Sequence, residues 1–271
     1  MMNRRQFLGG LGLAASALAV PLVAGQVIQR SRQTMRLWKE SGTALRLAHI
    51  SDLHSSSYIP LDFIGQALNL ALTEQPDVVA LTGDFVNAVA PDPAGLVRTL
   101  QRLTARVPTY ACLGNHDGGR WLAARQGPAT PDAVTEILET AGIRVLRNRT
   151  ERVRIRDRTF LLTGLEDLWS MPLDTEAAGF GRESEPRVVL AHNPDTKDEL
   201  ARAPWDLMLS GHTHGGLPYF GGRLTAPVRD TRFIEGLLPW GERHLHISRG
   251  VGCLHGLRLN CPPEVNLLDL V

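Results

Sequence analysis

Five short clusters in this 271-residue chain carry side chains of the types that bind cations and move protons. They are Asp52-Leu53-His54, Gly83-Asp84 with Asn87 three residues on, Gly114-Asn115-His116-Asp117, a lone His192, and Gly211-His212-Thr213-His214-Gly215-Gly216. Taken singly they say little. An Asp-x-His usually marks a turn, Gly-Asp a capping turn, and a lone histidine a hydrogen-bonded structural group. His212-Thr213-His214 says more, because alternate residues on an extended chain project to one side and could hold a metal. Gly114-Asn115-His116-Asp117 is also hard to read as a surface turn, since it follows an apolar run directly.

What precedes each cluster gives them a common address. LRLAHI (45–50), DVVALT (77–82), PTYACL (108–113), RVVLA (187–191) and DLMLS (206–210) are short apolar runs of the kind that form buried strands. Between them, 61–72 and 94–103 have helical apolar spacing, and a helix opens at Thr130-Pro131 and ends before Gly142. Further strands are expected at 152–156, 159–165, 244–248 and 265–271. In α/β folds, loops at the carboxyl ends of strands converge into sites. Five strands delivering Asp, His and Asn to such ends would build one polar pocket. The helix-rich first half and strand-rich second half predict two sheets packed face to face with helices outside.

The five clusters, in this order, resemble the calcineurin-like metallophosphoesterase superfamily, whose pattern is DxH, GDxx(D/N), GNH(D/E), a lone His and GHxH. The match extends over residues 52–214. The HTHGG run, the SRG…RLNCPPE segment (248–264) and the paired arginines near the start are similar to its exported bacterial phosphodiesterase branch, the YkuE/YaeI-like proteins. The resemblance implies an α/β fold, a four-layer α/β/β/α sandwich with two packed mixed sheets. It implies two metal ions sharing Asp84, the first held by Asp52, His54, Asp84 and His214, the second by Asp84, Asn115, His192 and His212. Mixed nitrogen and oxygen donors without thiolate favour Mn, Fe or Zn over Mg or Ca. A water or hydroxide between ions about 3.5–4 Å apart would attack the phosphorus of a phosphoester substrate. His116 would protonate the leaving oxygen or stabilise the transition state, with Asp117 orienting its imidazole. Asn87 takes a supporting place. The function implied is a phosphodiesterase; a hydrolase of a lipid-linked pyrophosphate of the UDP-2,3-diacylglucosamine type is the alternative, and a non-catalytic metal-binding envelope protein a third.

Bulk composition fits these expectations without selecting them. With 43% hydrophobic and 21% charged residues the chain can bury a core, and 26 glycines without triplet period exclude a collagen-like fold. Twenty-nine basic against 28 acidic residues leave no charged tail, so no nucleic acid is expected as a dedicated partner. Three cysteines, Cys112, Cys253 and Cys261, make no disulfide framework, and free thiols are expected. Arg152, Arg154, Arg156 and Arg158 read as a solvated strand face, and His49, His244, His246 and His255 as structural. Trp121, Trp169 and Trp240 lie near the loops (118–130, 166–186, 217–243) on which substrate identity depends, where they either serve ordinary packing or line a substrate cleft.

The start of the chain reads as a targeting segment. NRRQFL (3–8) precedes an uncharged apolar stretch, GGLGLAASALAVPLVAG, as in a twin-arginine export signal. The organisation expected is a signal or anchor over 1–25, a linker over 26–43 and a metallophosphoesterase domain over 44–271. The twin-arginine export machinery is then a partner, and the protein is periplasmic or on the outer face of the cytoplasmic membrane. If uncleaved, the apolar stretch is long enough to remain as a membrane anchor. Cell fractionation after Arg4→Lys/Arg5→Lys tests this. The variant is expected to stay in the cytoplasm, and an unchanged location rules the export reading out.

Overall fold

Strand parity explains the architecture. In the computed structural model, which describes residues 26–271 apart from 182–183, 219–223, 226, 257 and 259–260, fourteen strands and five helices follow one another. Residues 1–25, where a signal or anchor is expected, and part of the 217–243 loop lie outside the described residues. The first half contains β1 (Gln29–Met35), β2 (Leu45–Ile50), α1 (Leu61–Thr73), β3 (Val78–Thr82), α2 (Pro93–Thr104) and β4 (Thr109–Cys112). Short α3 (Arg120–Ala123), α4 (Asp132–Thr140), β5 (Arg144–Val145), β6 (Arg149–Ile155) and β7 (Arg158–Gly164) come next. The rest is β8 (Arg187–Leu190), α5 (Thr196–Glu199), β9 (Leu207–Ser210), β10 (Leu217–Pro218), β11 (Leu224–Thr225), β12 (Gly236–Trp240), β13 (Arg243–Ile247) and β14 (Glu264–Leu270).

Two six-stranded mixed sheets result, ordered β1-β14-β2-β3-β4-β5 and β12-β13-β9-β8-β7-β6. Strands buried on both faces are apolar throughout, and their alternate residues serve two different cores. Leu45, Leu47, Val78, Ala80, Tyr110 and Cys112 face Phe160, Leu162, Val188, Leu190, Leu207 and Leu209 between the sheets. The intervening Ala48, Ile50, Val79, Leu81 and Ala111 pack under α1, α2 and α4. On α1, Phe63, Ile64, Ala67, Leu68 and Ala71 recur at helical spacing and form its buried stripe. Asp92 caps α2 through Gly95 N at 2.8 Å, with Pro93 in the first turn. The outer face of the second sheet is covered by Leu200, Trp205 and Phe233, so the fourth layer is one short helix and irregular chain.

The expected linker over 26–43 is a point of correction. Its residues 29–35 form β1, an edge strand running parallel to β14 from Gln29↔Glu264 to Met35↔Leu270. Polar side chains hide it from hydropathy, because an edge strand is held through its main chain and is solvated on one side. Arg32 meets Asp269 at 2.7 Å and Ser31 donates to Asn266 Oδ1 at 2.6 Å. The helix expected with Thr130 as cap and Pro131 as first residue begins one residue later, at Asp132, with Pro131 as its cap. The arginine series 152–158 is split by a hairpin: Arg152 and Arg154 lie on β6, while Arg158 is buried and donates to Thr43 O at 3.0 Å. Cys112, Cys253 and Cys261 are buried thiols outside any disulfide. Among the described residues no helix is long and apolar enough to cross a membrane.

Parity also carries two histidines into the central core. His49 of β2 and His246 of β13 face each other between the sheets, Nδ1 to Nδ1 at 2.8 Å, and are fully buried. His49 Nε2 also lies 2.8 Å from Thr82 Oγ1. Burial lowers both, His246 to about 3. A histidine that is neutral when folded but protonates when unfolded stabilises the fold above the unfolded pKa, about 6.5, and loses that contribution as pH falls toward the folded value. Stability to urea should therefore fall between pH 7 and pH 5, with His246 supplying about 2 kcal/mol of the loss. His246→Asn is expected to flatten that slope; an unchanged slope contradicts a buried neutral His246.

Candidate metal centre

Every cluster singled out by its position after a strand arrives at the same edge of the sandwich. β2, β3 and β4 run parallel in one sheet, and β7, β8, β9 and β13 in the other. Their carboxyl ends therefore meet across the sheet interface. Asp52 N donates to Gly83 O at 3.0 Å and His54 N to Asp84 O at 2.9 Å, joining the first two loops. His212 N lies 3.2 Å from both Asp52 oxygens, joining the sheets. Asp52, His54, Asp84, His212 and His214 all have left-handed backbones, with φ from 48° to 72°. For non-glycine residues this costs about 1–3 kcal/mol each and persists only where surrounding contacts enforce it. Gly114 has no Cβ because one would sit 2.2 Å from Asp84 Oδ1.

The side chains form two groups, Asp52-His54-His214 and Asp84-His192-His212, each with donor atoms within 4.8 Å of one another. Asp84 Oδ2 lies between them, 3.5 Å from His54 Nε2 and 3.2 Å from His192 Nε2. His214 Nε2 is 3.5 Å from Asp52 Oδ1 and 3.3 Å from His54 Nε2. Neighbours fix the rings: His54 Nδ1 donates to Asn87 Oδ1 at 2.5 Å, and Asn87 Nδ2 donates to Leu254 O at 3.2 Å. His192 Nδ1 donates to Thr82 O at 2.7 Å, which turns Nε2 into the site. Asn115 Oδ1 is buried and has no hydrogen-bond partner. A buried acceptor left bare beside carboxylates and imidazoles is what a cation ligand looks like before the cation is added.

Protonation follows from burial and from Asp84. Burial drives His54 and His212 down to about 3 and His214 well below its ordinary value, leaving neutral rings whose lone pairs can bind metal. Burial lifts Asp52 to about 6. His192 goes the other way: burial opposes its charge, but Asp84, aided by Asp52 and Asp167, carries it well above the histidine range. Burial would raise Asp84 too, yet His192 and His116 hold it well below the usual carboxylate value. Loading the site with cations thus displaces protons, and metal affinity rises with pH.

His116 borders both groups, its ring centroid 5.1 Å from that of His54 and its Nδ1 unpartnered. The expectation that Asp117 orients it is corrected. The Asp117 carboxylate accepts from Asp84 N at 2.9 Å, Gly114 N at 2.8 Å and Phe85 N at 2.7 Å. Its oxygens are taken by the two loops that carry Asp84 and Asn115, so it locks those loops to each other. Trp121 and Trp169 reach the site, each 4.5 Å centroid to centroid from a histidine, His116 and His212 respectively. Trp240 does not; it stacks on Trp205 in the outer core at 5.5 Å.

Sequence reading missed Asp167 and Arg258. Asp167 is buried at the end of β7, its Oδ2 unpartnered, and burial raises it to about 6. The strand-end rule applied to 159–165 would have found it. Arg258 Nη2 lies 3.3 Å from His214 Nδ1 and also donates to Gly252 O; it sits in the RLNCPPE run, which carried no chemical signal.

Fold and site together define a metal-dependent phosphoester hydrolase. Residues 45–216 match the Calcineurin-like phosphoesterase family, and the chain belongs to it. Phosphodiesterase YaeI of Escherichia coli is 37% identical over the full length of both chains. The uncharacterized metallophosphoesterase YkuE of Bacillus subtilis is 28% identical, covering 99% of this chain and 98% of its own. UDP-2,3-diacylglucosamine pyrophosphatase LpxG of Chlamydia trachomatis is 27% identical over 83% of each. The crystal structure of TT1561 of Thermus thermophilus superposes with a TM-score of 0.50 at 12% identity, covering 77% of this chain and 91% of that one. It shares the fold.

Asp117→Asn tests the bracket between the loops. Replacing one carboxylate oxygen by a donor leaves a buried N–H unpaired, which costs about 1–3 kcal/mol. The variant should unfold at lower urea and bind metal more weakly, because Asp84 and Asn115 lose their common anchor. Unchanged stability and unchanged affinity together would remove that role.

Proposed function

We propose that this protein is an exported phosphodiesterase working with two metal ions. The observation that carries this reading is the Asp84 carboxylate, set between two groups of donors with the bare Asn115 oxygen beside it. Asp52, His54, Asp84 and His214 would hold one ion; Asp84, Asn115, His192 and His212 the other. When bound, the two cations supply Lewis acidity for the phosphoryl oxygens and a water acidic enough to attack phosphorus near neutral pH.

The chain's own residues do the rest. Asn87 and Thr82 hold the tautomers of His54 and His192, so each presents Nε2 to the site. Asp117 keeps the Asp84 and Asn115 loops at fixed separation. His116 is held by its own N–H, which donates to Asp84 Oδ1 at 2.9 Å, so its ring stands at the rim. Burial lowers this imidazole, and its free ring nitrogen is placed to hydrogen-bond the leaving oxygen. No Ser or Cys nucleophile is required, and buried Cys112, its thiol raised well above the ordinary value by burial, is no nucleophile.

The identity to a phosphodiesterase over the whole chain supports a diester substrate. A lipid-linked pyrophosphate is the second candidate, through the relative that carries that name. Export is supported by the paired Arg4 and Arg5 before an uncharged apolar stretch.

Bis-p-nitrophenyl phosphate hydrolysis, supported by Mn and abolished by a chelator, tests the reading. His116→Ala should lower kcat by roughly 10²–10⁴-fold while elemental analysis still finds two metals per chain. Wild-type turnover in that variant removes His116 from the chemistry; one metal per chain removes the dinuclear site.

A further inference from the structure

The two tryptophans at the site are more than packing. Trp121 and Trp169 are both only partly buried, and their indoles are stacked, 6.4 Å between centroids and 23° between planes. Trp121 meets His116 edge to face, and Trp169 meets His212 in the same way. The indoles therefore form a series of aromatic contacts running from His116 at the rim to His212 within the donor set, with the Arg125 guanidinium over one face of Trp121.

The surface is held in place before any ligand arrives. Arg120 N donates to Ser170 O at 2.8 Å, tying the segment of Trp121 to that of Trp169. Gly119, with φ 98°, permits this approach, since a Cβ there would lie 2.7 Å from Ser170 O. Trp169 N donates to Asp167 Oδ1 at 3.0 Å. The Arg125 guanidinium lies 3.9 Å from the centroid of the Trp121 ring, and its Nη1 donates to Trp121 O at 2.8 Å. Two rigid indoles fixed by main-chain bonds lose little entropy when a ring lies against them.

We propose that Trp121 and Trp169 form a stacking wall for a planar aromatic group, an aryl ring or a nucleobase, esterified to the phosphate. This rests on the phosphodiesterase reading and narrows its substrate class. A flat π surface beside charged and hydrogen-bonding groups suits a planar, polar-edged ring better than an acyl chain, which needs an enclosing apolar groove.

The test uses the full-length, manganese-loaded protein with phenylphosphonate and methylphosphonate as competitive inhibitors of bis-p-nitrophenyl phosphate hydrolysis. Phenylphosphonate should bind at least about fivefold tighter. Trp121→Leu/Trp169→Leu, which keeps apolar bulk but removes the π surface, should bring the ratio close to one with metal content intact. Trp→Phe at both positions should keep most of it. A ratio unchanged in the leucine variant overturns the wall and leaves the phosphodiesterase reading standing. No hydrolysis and no binding of either phosphonate by the wild type overturns both. Where the leucine variant does not fold, tryptophan fluorescence of the wild type decides: quenching by phenylphosphonate beyond that by methylphosphonate supports the wall, and equal quenching overturns it.

Discussion

The buried Asp84 carboxylate organises this protein's edge. A charge at 1% exposure needs compensation, and it receives it from His54 on one side, His192 on the other and the His116 N–H behind. Those partners come from three different loops in two sheets. Neither sheet can therefore shift relative to the other without uncovering that charge. The left-handed backbone at Asp84, the missing Cβ at Gly114 and the Asp117 carboxylate under both loops serve the same end. Each costs stability locally, and each places the carboxylate between two sets of donors. That arrangement suits metal binding, and the strain is gathered at this one end of an otherwise regular sandwich.

The support continues inward. Thr82, at the end of β3, accepts from His192 through its carbonyl and meets His49 and Ser51 through its hydroxyl. His49 then meets His246 across the sheets. A donor ring at the edge is thus tied by hydrogen bonds to the middle of the central core. Buried Asn266 and Ser248 continue the polar strip, Asn266 Nδ2 donating to Ser248 Oγ at 2.8 Å, beside the apolar layer between the sheets.

The parts of the fold that were legible in the sequence were those governed by burial on both faces. β2, β3, β4, β8 and β9 are short apolar runs, and their ends are marked by polar residues that would be out of place in a core. β1 and β12 were not legible because both are edge strands, one rich in arginine and the other carrying Pro239, and main-chain pairing supplies most of their stability. The metal-site residues were legible as types and spacings. Asp117 was assigned the wrong neighbour, since adjacency to His116 in the chain says nothing about which N–H groups its carboxylate meets. Trp121, Trp169 and Trp240 looked alike in sequence; one of the three turned out to stack on Trp205 in a different layer.

The sequence alone therefore determined the donor types, the strands that carry them and the family to which the chain belongs. It could do so because a residue's identity and its distance from the end of an apolar run are local properties. Only the tertiary structure decided that Asp84 stands between the two groups, that Asp117 braces loops rather than a catalytic ring, and that two tryptophans border the site. Those facts depend on which strand ends meet across the sheet interface. That meeting is fixed by the packing of two parallel-stranded faces, and no stretch of chain encodes it by itself.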